Sequence, residues 1–153
     1  MSQVRDQVFI SYSRSDKRWL DKLHAMLAPL LRAGQIKIWD DTHILPGQKW
    51  FDEITGAIAS AKVAVLLVSA DFLASDFIDR HELAPVLKAA EQEGVTILWV
   101  AVSYCLFQYT ELAQYQALND DPAKPLNSFS GAKLDKELMR ICKRIKRAVE
   151  ADS

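Results

Sequence analysis

The sequence predicts an α/β domain built on an open, doubly wound parallel sheet of about five strands. Two nearly continuous apolar runs, "KVAVLLVS" (62–69) and "VTILWVAV" (95–102), have the composition of strands covered on both faces. Segments with helical spacing lie on either side of each run, and right-handed crossovers place such helices on both faces of a parallel sheet. The 153 residues suffice for one well-buried domain, taken over 1–153 with its core at about 6–150.

In chain order, "QVFISYS" (7–13) is a short β-rich run that ends in small polar residues, as a buried strand does on reaching the edge of its sheet. From Ser15 the spacing turns helical through Trp19, Leu23, Met26, Leu27, Leu30 and Leu31, with Gly34 as the stop signal and Pro29 expected to kink or shorten the helix. "IKIWDD" (36–41) is a second, more polar strand. The Pro-Gly pair of "THILPGQ" marks a loop, and "KWFDEITGAIASA" returns to helical spacing through Trp50, Ile54 and Ile58.

Between the two apolar runs, residues 75–93 read as one helix with the stripe Ile78, Val86, Leu87 and Ala90, closed by Gly94. After Val102 the text is mostly loop with one weak fifth unit. The tail "AKLDKELMRICKRIKRAVEA" is an amphipathic helix on Leu134, Leu138, Ile141, Ile145 and Val149. Its Arg140, Lys143, Arg144, Lys146 and Arg147 read as a solvated face that complements the helix C-terminal dipole.

Composition excludes several classes. Nineteen Lys and Arg balance 20 Asp and Glu, so no global field recruits nucleic acid or an anionic membrane. No h-region opens the chain and no apolar run spans a bilayer, which leads to the expectation of a soluble, cytoplasmic protein. Cys105 and Cys142 fit no metal or redox spacing and are expected to be reduced. His24, His43 and His81 lack zinc-ligand spacing, so no metal site is expected. The five glycines form neither G-x-G-x-x-G nor a P-loop, and the first strand ends in "SYS" rather than the acidic pair of a receiver domain.

Sites in doubly wound sheets lie beyond the carboxyl ends of the strands, here Ser11-Tyr12-Ser13-Arg14, Asp40-Asp41 and Ser69-Ala70-Asp71. One further residue is out of place by its own pattern. Glu82 interrupts the apolar stripe of 75–93, and a carboxylate facing a core costs free energy unless it is bonded, paired or used. A lone helical glutamate most often caps or pairs, here with Arg80 or a neighbouring loop. Pro85 cannot donate to the carbonyl of His81 and should loosen the helix beside it.

"VFISYSRSD", "IWDD…LPGQKW", "AVLLVSADFLASDFIDRHEL" and "YQALNDD…PL", in that order over nearly the whole chain, resemble a TIR (Toll/interleukin-1 receptor) domain of the bacterial type. "FISYS" and "VSADFLASDFIDRHEL" are the specific parts. The resemblance implies a flavodoxin-like fold with five parallel strands. It also places Glu82 at the catalytic glutamate of those TIR domains that cleave NAD+, although many TIR domains act as scaffolds without such a residue.

Carried over residue by residue, the resemblance implies that Tyr12, Ser13 and Arg14 meet a pyrophosphate or ribose beside the first helix, and that Asp40 and Asp41 either contact a ribose or simply end their strand. Trp50 falls at the position whose ring stacks on the nucleotide, although it also reads as the first core residue of its helix. Ser69 and Ser75 would line the pocket, Ser75 doubling as a helix N-cap. One departure stands out: some NAD+-cleaving relatives carry Trp four residues before the glutamate, where this chain has Ile78.

The implied activity is an NAD+ glycohydrolase that releases nicotinamide and leaves ADP-ribose or a cyclic form, with NAD+ as substrate and no cofactor. Assembly with other TIR domains through the 40–49 loop would switch it on. A fused sensor domain and a role in bacterial antiphage defence belong to the same expectation. A non-catalytic TIR–TIR scaffold is the alternative, and nucleotide base exchange a weaker third.

Overall fold

The structure, a computed structural model, describes residues 4–151. Four parallel strands form the sheet in the order β2-β1-β3-β4: β1 (Gln7–Ser11), β2 (Ile38–Trp39), β3 (Ala61–Val68) and β4 (Thr96–Ala101). β1 lies between β2 and β3, pairing Phe9 with Trp39 on one side and Ile10 with Val65 on the other. The order reverses between β1 and β3, and the crevice outside the carboxyl ends of those strands is where such sheets hold ligands.

Two helical layers cover the sheet, and strand alternation decides which residues meet which layer. On one face Val8, Ile10, Val63, Val65, Leu67 and Val100 pack against α1 (Lys17–Arg32) and α6 (Gly131–Glu150) through Leu20, Leu23, Leu27, Ile141 and Ile145. On the other, Phe9, Ala64, Leu66, Ile97 and Trp99 meet α2 (Trp50–Ala59), α3 (Ala70–Ala74) and α5 (Ala84–Glu93) through Ile54, Ile58, Phe72, Val86 and Ala89. Each fully buried aliphatic side chain in these layers contributes about 1.5–3 kcal/mol relative to exposure.

α1 runs through Pro29 to Arg32, so the proline neither ends nor shortens it at that point. The expected strand at 36–41 is reduced to two residues, because Lys37 is drawn outward to Asp6 and Asp40 turns in to cap the next turn.

The expected helix over 75–93 is broken. A short turn α4 (Asp76–Ile78), capped by Ser75, leads into a π-turn over Asp79–Leu83 in which the Ala84 N–H reaches back five residues to the Asp79 carbonyl. α5 then begins afresh, with Pro85 in its first turn, where a missing N–H costs nothing. The proline cannot bond to His81 and would crowd its carbonyl in an unbroken helix, so the backbone widens there. Gly94 closes α5 at φ 79°, in the left-handed region.

The sheet has four strands rather than five because the segment after β4 supplies only one isolated bridge, Ala117 beside Trp99. The edge of β4 is satisfied by other means. The Leu118 N–H donates to Trp99, and the Asn119 side-chain amide accepts from the Ala101 N–H at 2.7 Å and donates to its carbonyl at 3.2 Å. Arg140 and Arg144 of α6 clamp Asp120, and Arg144 also donates to the Leu118 carbonyl. Those two cations therefore pin the segment to the sheet instead of forming a merely solvated face. Among the described residues no helix is long and apolar enough to cross a membrane.

Candidate functional site

A cavity of about 660 Å³ opens at the carboxyl ends of β1 and β2, beside the π-turn. This is within the usual size range of small-molecule sites. The loop after β1 contributes Tyr12, Ser13 and Arg14, the turn after β2 contributes Asp41 and Ile44, α2 contributes Trp50 and Ile54, and the 75–82 segment contributes Ser75, Phe77, Ile78 and Glu82.

Glu82 is the buried acid of this cavity, only 6 % exposed. It makes no ion pair within the described residues, and Arg80 is exposed and forms none with it. The pairing that would account for an ordinary buried glutamate is thus missing. Burial pushes its pKa from 4.5 up to about 7; the Ser11 hydroxyl opposes that rise, and the Asp41 charge adds to it. Ser11 Oγ is itself buried, with no hydrogen-bond partner among the described residues. A carboxyl with a midpoint near 7 exchanges its charge within the working range of an enzyme.

Tyr12 donates its hydroxyl to Asp41 Oδ1 at 2.6 Å. Burial first, and then that carboxylate, drive the phenol well above its ordinary pKa, so it stays a donor. Arg14 is exposed at the cavity rim and forms no ion pair with another described residue, which leaves its guanidinium available to an anion. Ser13 Oγ lies 3.0 Å from Ser15 Oγ, which donates to Asp71 and so ties the loop after β1 to that after β3.

Trp50 is 44 % exposed, which sets aside its reading as a core residue. It forms one wall of an aromatic cluster at the cavity mouth, with Phe77 and His81 each centred 5.1 Å away and Phe51 edge-on at 5.9 Å. Ile78 lies buried in the cavity wall, so the rings on that side come from its neighbours. Ser75 both lines the cavity and caps α4 through the Ile78 N–H.

Two expected site residues lie elsewhere. Asp40 is fully buried on the opposite side of its strand: it accepts from the Thr42 N–H at 3.0 Å and lies 2.9 Å from His24 Nε2 of α1. Ile38 and Trp39 alternate between the two layers, so Asp40 follows Ile38 toward α1 and the next residue, Asp41, reaches the cavity. Ser69 is buried as the N-cap of α3, accepting from the Phe72 N–H and donating to Asp16 Oδ2 at 2.5 Å.

The sequence reading did not single out Phe77, and it named Ser11 only as part of a strand end. The alternation of β1 would have put Ser11 on the Phe9 side, facing the stripe that holds Glu82. Among the described residues no group of three or more His, Cys, Asp or Glu is arranged to hold a metal.

The loop at 40–49 projects beside this cavity. A short 3₁₀ turn over Asp41–His43 is followed by a turn at Leu45–Gln48, in which Gly47 takes φ 88° and the Gln48 side chain accepts from the Leu45 N–H. Leu45 at its tip is 62 % exposed.

Over 141 residues the chain is 27 % identical to the uncharacterized protein y4lF of Sinorhizobium fredii, covering 92 % of this chain and 43 % of that protein. The chain thus spans less than half the length of this relative. Its fold is similar to the TIR domain of the Toll-related receptor TRR-2 from Hydra magnipapillata, with TM-score 0.57 and 20 % identity over 92 % of this chain and 97 % of that one. It is also similar to the TIR domains in the activated Roq1 resistosome directly recognizing the pathogen effector XopQ, with TM-score 0.53 and 18 % identity over 96 % and 85 %. A family model described as the TIR domain matches residues 8–135, most of the described chain, and on that match the chain belongs to the TIR domain family.

Proposed function

We propose that this TIR domain cleaves NAD+ to nicotinamide and ADP-ribose, linear or cyclic, with Glu82 as its catalytic carboxylate. The observation that carries the reading is a buried carboxyl without an ion-pair partner in the wall of a cavity at the sheet's carboxyl edge. The family includes NAD+-cleaving enzymes, which is consistent with it.

One carboxylate is enough for this bond. In NAD+ the leaving nitrogen is already cationic, so the C1′–N electron pair departs with neutral nicotinamide and no general acid is needed. Ordinary glycosidases need two carboxyl groups, one of them to protonate the leaving oxygen. What remains is to stabilise the oxocarbenium-like ribose, which an ionised Glu82 does electrostatically in a site of low dielectric. Water then adds to C1′ and releases its proton to solvent.

Arg14 suits the pyrophosphate, and Asp41 with Tyr12, rather than Asp40, suits a ribose hydroxyl. Trp50 and Phe77 offer ring faces to a base. Activation by self-assembly through the 40–49 loop, a sensor fused outside this segment, and a place in bacterial defence against phage complete the proposal. The apolar tip of that loop and the bacterial relative more than twice as long support these parts.

A second reading, a non-catalytic TIR–TIR docking module, draws on the exposed apolar residues Leu45, Phe51 and Phe77 beside the cavity. Nicotinamide release by concentrated protein, wild type against Glu82→Ala, separates the two. Mass spectrometry of the products distinguishes linear, cyclic and base-exchanged nucleotides. Release by wild type alone supports the enzyme; no release from either under assembling conditions supports the module.

A further inference from the structure

We propose that the face formed by α1 and α6 docks on the α2-to-α5 face of a second copy of this chain, so that the molecules stack head to tail. The two helical layers cover opposite sides of the sheet, and they carry opposite charge. α1 and α6 together hold eleven Lys and Arg against four Asp and Glu. The other layer, from α2 to α5 with the π-turn, holds eight Asp and Glu, Glu82 among them, against two Lys and Arg. A formal charge of -1 for the whole chain thus conceals two strongly charged faces.

On α6 the cations are ordered. Lys133, Lys136, Arg140, Lys143 and Arg147 recur at alternating intervals of three and four residues, which sets them in one stripe about 21 Å long. Arg140 is held by Asp120 and Glu137, whereas the other four are exposed and form no ion pair with another described residue. α1 packs beside α6 and adds the exposed Arg18, Lys22 and Arg32. On the opposite layer Asp52, Asp76, Asp79 and Glu91 are exposed and equally unpaired among the described residues, while Glu93 is taken by Arg5.

A specific contact also needs an apolar centre within its charged rim. Met139, 43 % exposed, lies in the basic stripe between Lys136 and Lys143. On the acidic layer the exposed rings of Phe51 and Phe77 both pack against His81, and each has an aspartate as chain neighbour, Asp52 and Asp76. A thioether suits such rings, and lysines around the one meet carboxylates around the other.

The same charges decide the symmetry. An α1/α6 face set against its own copy would bring like charges together, which disfavours a two-fold dimer through it. Basic face on acidic face leaves one free face at each end of the pair, so the contact repeats into an open stack. The proposal rests on these two faces and not on the reading of Glu82, and it uses a surface other than the 40–49 loop.

Sedimentation velocity of the full chain across a range of concentrations tests it. In about 10 mM salt, where charges act over about 30 Å, the mean mass is expected to grow with concentration past that of a dimer; in about 1 M salt, where the range is about 3 Å, the growth is expected to vanish. Lys136→Glu with Lys143→Glu, and separately Asp52→Lys with Asp76→Lys, change exposed side chains, should fold, and should each abolish the growth. An equimolar mixture of the two variants is expected to assemble again, because each retains the wild-type face that the other lacks. Leu45→Asp, which disables the loop tip, should leave the stack in place.

A wild type that stays monomeric at low salt overturns the proposal, even if its basic face then retains duplex nucleic acid or anionic vesicles. Growth that stops at the dimer, growth unaffected by either charge reversal, or a mixture that stays monomeric overturns it as well. None of these measurements involves turnover, so a protein that releases no nicotinamide would sink the NAD+ reading and leave this test intact.

Discussion

Glu82→Gln keeps the shape of the side chain and removes its charge, and its expected effect on stability depends on pH. Burial holds the folded-state midpoint near 7 against 4.5 for a free glutamate, so the fold binds this proton more tightly than the unfolded chain does. Below about pH 4.5 the acid is neutral in both states and carries no penalty. Between about 4.5 and 7 the unfolded chain gives up its proton first, and folding loses stability as pH rises. Above 7 the loss is complete, at about 3 kcal/mol for a displacement of that size.

Glutamine stays neutral throughout. The variant should therefore match wild type near pH 4.5 and exceed it by about 3 kcal/mol at pH 8, or roughly 10 °C in Tm for a domain of this length. Parallel urea and thermal unfolding of the two proteins from pH 4.5 to 8.5 measures the difference, in which every other titrating group cancels. A stability difference that stays constant across this range, or a wild type more stable at pH 8, would refute the placement of a buried, unpaired acid.

Nicotinamide release is expected to rise through about pH 7 with a single ionisation, because the charged form of Glu82 does the work; a rate profile flat from pH 5.5 to 8.5 would contradict this. Trp50→Ala should raise KM for NAD+ roughly tenfold, the scale of one base-stacking contact, while Tm changes little because the ring is nearly half exposed. Asn119→Ala strands the Ala101 N–H and carbonyl at the sheet edge and should cost about 2–3 kcal/mol by chemical denaturation. Unchanged stability there would mean that water replaces the amide at no cost.

Particular residues show where a sequence carries enough information and where it does not. β3, β4 and α6 were legible because burial on two faces, or on one helical stripe, writes itself as an apolar period. The fifth strand was not, since the edge of β4 is completed by one Asn side chain and two arginine clamps, which have no period. Pro85 signalled a disturbance beside Glu82, but a proline says only that an N–H is missing. That the backbone answers with a π-turn over Asp79–Leu83 depends on how α4 and α5 pack against the sheet.

The site was legible to the same extent. Glu82 broke an apolar stripe, and Tyr12 to Arg14 followed a strand end, so rules of period and topology reached them. Asp40 and Asp41 are adjacent, and only the register of a two-residue strand decides which one turns toward α1 and which toward the cavity. Ser69 was indistinguishable in sequence from a pocket serine, although its hydroxyl is occupied by Asp16 and the start of α3.

Nicotinamide release from concentrated protein at pH 8, wild type against Glu82→Gln, tests the central claim most directly. The glutamine variant is expected to be folded and the more stable of the two at that pH, so a loss of activity cannot be assigned to unfolding. Release by wild type and a decrease of about a hundredfold or more in the variant is the expected result. Equal release from both proteins, or none from wild type under assembling conditions, would contradict the assignment of Glu82 as the carboxylate that cleaves NAD+.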